Sequence, residues 1–315
     1  MTTGLGRDAF FGVAAEAAYG NFVAPTAYVR HRSATPTFEA GTIDDGAVVA
    51  GRLVMDEAQV QEGSTTVGAT VSLPLLRALP ALLLEHMLGE QAAGRAGSTA
   101  DPHAWTPGSL TGKSLSALIA ASTTAGDDLI VALLGAKVAS WQVSVPLGEV
   151  ATLELTLVAQ SVDDTQSKPV AAIPLGAAFA GHHATLTVGG SARRARNVTI
   201  ACENALAADR RFLGSRHISE PLEADARSIT WDAELEFDSL ADWTAYKGSL
   251  ARTAVSLALA AGDDNLVFSS PAAVVSASPL PAADARGPLS VSLSMMAYQA
   301  AAVPALTVQR WDASI

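Results

Sequence analysis

The chain has 315 residues, 49% of them apolar and 16% charged, with a formal charge of −11. That length can build one large core or two smaller ones. The acidic balance argues against a protein that grips nucleic acid, because such affinity rests on Lys and Arg displacing counterions from phosphate. Charge well below the roughly 25% of an average soluble domain implies surface hidden in partner contacts.

The acidity is uneven: residues 1–165 hold 8 basic and 17 acidic side chains, the remainder 12 and 14. A single cysteine, Cys202, excludes an intrachain disulfide and a cysteine-based metal site. Its strand-like neighbours, Val198 to Ala201, predict a buried and inert thiol. The N-terminus has no basic segment followed by an apolar core, so no signal peptide is expected and folding in the cytoplasm is implied. No stretch reaches the ~18 uninterrupted apolar residues of a membrane span.

In chain order, residues 70–75 read as a strand and residues 75–88, rich in Leu and Ala, as a helix capped by Gly89. Residues 91–108, rich in Gly, Ala, Ser and Pro, read as an exposed loop. Residues 138–145 and 150–158 form a predicted hairpin: Leu153, Leu155 and Leu157 alternate with Thr152, Glu154 and Thr156, the period of a half-buried strand. Residues 160–174 connect two halves. In the second half, residues 230–237 and 254–259 read as strands and residues 239–248 as a short helix with Ser239 as N-cap. Residues 273–278 and 289–296 read as another hairpin. Leu153, Leu155, Leu157 and Ala159 match Val291, Leu293, Met295 and Ala297 at one constant offset. The match implies an internal duplication; the alternative is that any all-β chain shows similar strands twice. Each half also carries a long polar stretch, residues 40–66 and 204–227, expected as extended hairpins.

Catalytic constellations are not found. Gly108 to Ser114 resembles a phosphate-binding loop but is one residue short, with Pro107 in the place of its first glycine. The histidines (His31, His86, His103, His182, His183 and His217) form no zinc-hydrolase pattern. His182 and His183 would point to opposite faces of a strand. The acidic pairs Asp127-Asp128, Asp163-Asp164 and Asp263-Asp264 read as strand terminators, with a weak calcium contact left open. No catalytic residue, metal site or cofactor is expected.

Gly12-Val13, Glu16, Tyr19-Gly20 and Pro25 resemble the opening of tail tube proteins from long-tailed phages of actinobacteria, with Asn21 replacing the usual Thr. The run from Val198 through Asn204 and Leu206, then Ile218, Pro221 and Ile229-Thr230, is also similar to that family, with Trp231 where glycine is usual. The resemblance implies a mainly β fold, a duplicated β-sandwich with a short helix per repeat, whose inner strands form a β-barrel on ring assembly. It divides the chain into an N-terminal arm (1–26), a first repeat (27–160), a linker (161–180), a second repeat (181–302) and a C-terminal arm (303–315).

The function so implied is a structural subunit of a virion, polymerising into stacked rings that conduct DNA through an acidic lumen without binding it. Three chains per ring are expected, six being the alternative. Tape-measure, tail-tip and tail-terminator proteins are the further partners, and no membrane is involved. Lumen-lining candidates are Glu39, Asp44, Asp45, Asp56, Glu57 and Glu62, with Glu203, Glu220, Glu223 and Asp225 from the second polar stretch; an ordinary solvated charge is the alternative for each. Phe10, Phe11, Tyr19 and Trp311 are candidate anchors for arms reaching a neighbouring ring, or else pack on their own subunit. Other readings are a tail terminator or decoration protein, or a β-sandwich module binding glycans or a receptor.

Overall fold

The computed structural model describes residues 4–47, 51, 53–93, 102–123, 128–174, 176–237, 252–276 and 289–311. These residues are mainly β, with one α-helix among them. A long antiparallel sheet runs in the order β3 (Ser33–Asp44), β4 (Val60–Pro74), β9 (Thr152–Ala159), β8 (Asp128–Pro146), β13 (Ala195–Glu203), β14 (Ser228–Glu236), β17 (Ser290–Ala297), β16 (Asp264–Val275). The sheet is open, so its terminal strands do not pair with each other.

Two flanking arrays share its long strands. The first runs β2 (Ala27–Val29), β1 (Gly4–Ala15), β7 (Leu115–Thr123), β8, β10 (Ser161–Asp163). The second runs β12 (Ser191–Arg193), β11 (Ala184–Val188), β15 (Arg252–Ala261), β16, β18 (Thr307–Trp311). Strand β18 continues through β6 (His103–Pro107) to β5 (Gly89–Ala93). The two halves therefore repeat one strand order, and β8 and β16 each pass from a flanking array into the long sheet. In β8 the passage falls at Gly135, whose φ of +63° suits glycine.

Register explains why the long sheet has one dry face. Leu153 lies opposite Leu73 and Leu155 opposite Val71; in the second half Val291 lies opposite Leu235 and Leu293 opposite Ala233. Because side chains alternate, this pairing gathers the apolar set on one side. Trp141, Ile200 and Trp231 join it, all buried. Trp231 keeps the strand in register, between Ile200 and Met295, and its indole N–H donates to Ser270 Oγ at 3.0 Å.

Several expectations change. The helix is α1 (Ala81–Leu88), not residues 75–88, because Pro80 holds the preceding residue out of the α region. Gly89 is its C-cap, at φ +104°. Residues 91–108 are not simply a loop: β5 and β6 pair there, and Trp105 is buried. Residues 204–227 form no strand hairpin; one isolated bridge, Leu206 to Glu223, lies within them. His182 and His183 sit in a 3-10 turn, not a strand, with ring centroids 3.9 Å apart. The expected helix at 239–248 lies outside the described residues.

Candidate assembly surfaces

The second face of the long sheet is polar. Its outward positions alternate with the buried ones and carry mostly Ser, Thr, Asn and Gln, with Val158, Ala201, Val274 and Met296 among them. The charges on it are Glu39, Glu154, Glu203, Asp232, Glu234 and Glu236; Lys137, opposite Val158, shares this side but is buried and paired with Glu220, and exposed Arg196 lies in the β13 bulge between Ala195 and Asn197. Ser294 Oγ donates to Asp232 Oδ1 at 2.5 Å, and Arg194, outside the sheet, lies 3.9 Å from Glu236. Glu39 and Glu203 occupy equivalent positions in the two halves: Glu39 faces Thr66 on β4 and Glu203 faces Ser228 on β14. Glu154, Asp232, Glu234 and Glu236 were missed by sequence reasoning. Their signal was present, since each is a carboxylate in the polar phase of an alternating strand.

The other acidic candidates lie elsewhere. Asp44, Asp45, Asp56, Glu57 and Glu62 belong to the far part of the β3–β4 hairpin, which projects beyond β9. Arg216 pairs with Glu62 there, and Asp56 caps a 3-10 turn by accepting from Ala58 N–H. Exposed Ile43, Leu53, Val54, Met55 and Val60 give this region an apolar surface. Asp225 is exposed in the crossover between β13 and β14.

Glu220 and Glu223 are engaged inside the subunit. The turn that resembles a phosphate loop offers its backbone N–H groups to them: Gly112 donates to Glu220 and Leu110 to Glu223, both at 2.6 Å. Such a turn concentrates partial positive charge, and here the anion it cradles is the chain's own carboxylate. Lys137, only 1% exposed, donates to Glu220 Oε1 at 2.5 Å and to the carbonyls of Leu110 and Pro221. Arg227 donates to Glu223 and to the carbonyls of Leu88 and Gly108. The buried Asn204 amide donates to the carbonyls of Met87 and Val138. Together these contacts fasten the crossover of the second half to the first.

Burial raises the carboxyls of Glu220 and Glu223, but the bonds from Lys137 and Gly112 to the one, and from Leu110 and Arg227 to the other, bring both below their ordinary value. His86, on α1, is also lowered, chiefly by burial. For all three groups the unfolded chain binds protons more readily than the folded one, so stability is lost as pH falls. The melting temperature of the subunit is expected to drop first below about pH 6.5, as His86 is drawn to protonate. A second drop follows below about pH 4.5, through the two glutamates. Calorimetry across pH 7.5 to ~3 checks this, and a flat profile would contradict it. Cys202 is buried, and burial pushes its thiol up to about 12, which leaves it unreactive.

The N-terminal motif is also structural. The Glu16 carboxylate, 7% exposed, accepts from Gly20 N–H, Gly135 N–H, Ser114 Oγ and Ser116 Oγ at 2.7 to 2.9 Å. Gly135 admits the Tyr19 ring; a Cβ there would meet it at 2.8 Å. Phe11 is buried in the main core and Phe10 in a smaller cluster with Leu118 and Ile130. Residues 4–15 are thus strand β1 of the subunit's own fold, and half-buried Trp311 ends β18 opposite Asn265. All four anchor candidates are placed by contacts within the chain.

No group of three or more His, Cys, Asp or Glu that could hold a metal occurs among the described residues, and no helix among them is long and apolar enough to cross a membrane. The geometry defines a structural subunit, with a polar sheet face, open sheet edges and a projecting hairpin. A family model described as phage tail tube protein matches residues 6–305, so the chain belongs to the phage tail tube protein family. It is accordingly a non-enzymatic virion component that self-assembles into a tube and associates with other tail proteins. No curated protein matches the chain.

Proposed function

We propose that three copies close into a ring, that rings stack, and that the polar face of the long sheet lines a lumen through which DNA passes without adhering. The observation that carries this reading is the predominantly acidic face: six carboxylates among hydroxyls and amides, against Lys137, which is buried and neutralised by Glu220, and Arg196 at the β13 bulge. Phosphate is repelled from such a wall over a Debye length of about 10 Å at 0.1 M salt. Each half contributes four strands to the long sheet. Six halves would give a barrel of roughly 150 Å circumference, at ~4.8 Å between strands tilted ~40°. The backbone diameter would be about 48 Å, which leaves room for duplex DNA and a water layer. Tape-measure, tail-tip and terminator proteins are its proposed neighbours in the tail.

Negative-stain microscopy of the purified chain tests the assembly. Hollow tubes or rings with three chains are the expected result; rings of six chains would refute the stoichiometry. The lumen is tested by the triple variant Glu154→Lys, Glu203→Lys, Asp232→Lys. Its tubes should retain duplex DNA at about 50 mM salt and release it at higher salt, whereas parent tubes retain none. Variant tubes that stay as inert as the parent would place this face away from the lumen.

A further inference from the structure

One end of the long sheet carries a cavity with a concentration of positive charge. It measures about 280 Å³ and lies where the end of β8 and the turn at Gly181 meet strands β11, β13 and β15. Arg193, Arg194, Arg196 and Asn197 line it. Arg194 is exposed and forms only a loose pair with Glu236, at 3.9 Å. Arg196 is exposed, and among the described residues no hydrogen bond or ion pair engages its guanidinium. Buried Leu186 and Leu257 belong to the lining as well, and apolar walls of this kind strengthen the field of the arginines inside.

The arginines recur in the first half. Leu73 and Leu235 occupy matching places on β4 and β14, opposite Leu153 and Val291. Their neighbours Ser72 and Glu234 lie opposite Ser33 and Asn197, which aligns β3 with β13. Across residues 30–39 and 194–203 four places keep their residue: Arg30 with Arg194, Arg32 with Arg196, Thr35 with Thr199, and Glu39 with Glu203. The threonines and glutamates follow the polar phase of the strand. The arginines serve no such phase, since Arg194 precedes β13 and Arg196 sits in its bulge. Their retention points to a demand other than folding. Among the described residues β3 pairs only with β4, so no counterpart of β8 stands beside Arg32, and the Arg30 guanidinium donates to the Gly176 carbonyl instead. The walled cavity is therefore the one at Arg194 and Arg196.

We propose that this cavity binds one oxyanion of the phosphate class. A guanidinium fork pairs with two oxygens at once. A carboxylate has two oxygens and satisfies one fork, whereas a phosphate ion has four and satisfies both Arg194 and Arg196. The Asn197 amide is a further donor on the same lining. The ligand is the free ion, because a cavity of this size admits it while a duplex backbone meets only its mouth. Bound there, the anion ties the start of β13 to the end of β8, the two strands whose pairing joins the halves. The site does not depend on ring closure.

Calorimetry of the unassembled chain, in inorganic phosphate and in sodium chloride of equal ionic strength, tests it. Phosphate at about 20 mM should raise Tm by about 2–4 °C over chloride. The double variant Arg194→Gln, Arg196→Gln alters two exposed side chains and should melt like the parent in chloride, yet lose the rise in phosphate. An equal rise in parent and variant would overturn the site, because a general action of phosphate on exposed surface affects both. No rise in the parent would overturn it as well. Should the variant fail to fold, titration of the parent followed by phosphorus NMR decides: line broadening that saturates at one phosphate per chain is expected, and broadening without saturation sinks the proposal. A short DNA duplex at the same phosphate concentration should leave Tm unchanged. A rise with the duplex and none with inorganic phosphate would assign these arginines to nucleic acid and overturn the free-ion site.

Discussion

Glu16→Ala is expected to destabilise the folded subunit by about 3–5 kcal/mol, since three buried donors and the part-buried Gly20 N–H lose one carboxylate acceptor. The donors come from three places: the turn at Gly20, the start of β7 at Ser114 and Ser116, and the bend of β8 at Gly135. Loss of the carboxylate therefore loosens the flanking array of the first half at the point where β8 leaves it. Glu16→Gln should cost nearly as much, because the amide nitrogen would face a donor. Urea denaturation of the unassembled subunit measures both. A loss below about 1 kcal/mol in the alanine variant would mean that the four bonds contribute little net stability.

Lys137→Met is expected to cost about 3–5 kcal/mol, the range found when one member of a buried ion pair is removed. The ammonium is wholly buried, and three oxygen acceptors converge on it from the turn after β6 and from the crossover. Methionine fills the space but leaves Glu220 without its cation. The double variant Lys137→Met, Glu220→Met should recover part of the loss, because replacing both partners removes the stranded charge. The comparison separates a pairing effect from a packing effect. If the double variant is as unstable as the sum of its singles, the contact acts through shape alone.

Strand pattern made much of this fold legible. The alternation in β9, β14 and β17 placed these strands correctly, and the constant offset between β9 and β17 foreshadowed the matching strand orders of the two halves. The terminal segments were harder. From Ala9 onward strand β1 reads as a continuous run of apolar residues and glycine, because Phe10 and Phe11 are buried in separate clusters on opposite faces, which erases the period-two signal. The crossover at residues 204–227 shares polarity with the β3–β4 hairpin, but its carboxylates are consumed by partners distant in sequence: Glu220 meets Lys137, and Glu223 meets Leu110. Composition cannot distinguish a carboxylate held this way from one facing solvent. Alternation can: Glu154, Asp232, Glu234 and Glu236 sit in the polar phase of their strands, and reading that phase for charge would have found the acidic face.

Strands β8 and β16 run unbroken from the flanking arrays into the long sheet. Two sheets held only by interdigitated side chains can shear past each other, since dispersion contacts reform after a small slip. Here a slip would have to stretch a continuous polypeptide or break a ladder of hydrogen bonds at once. The two layers of the subunit therefore act as one stiff beam, and a load on one layer reaches the other along covalent bonds.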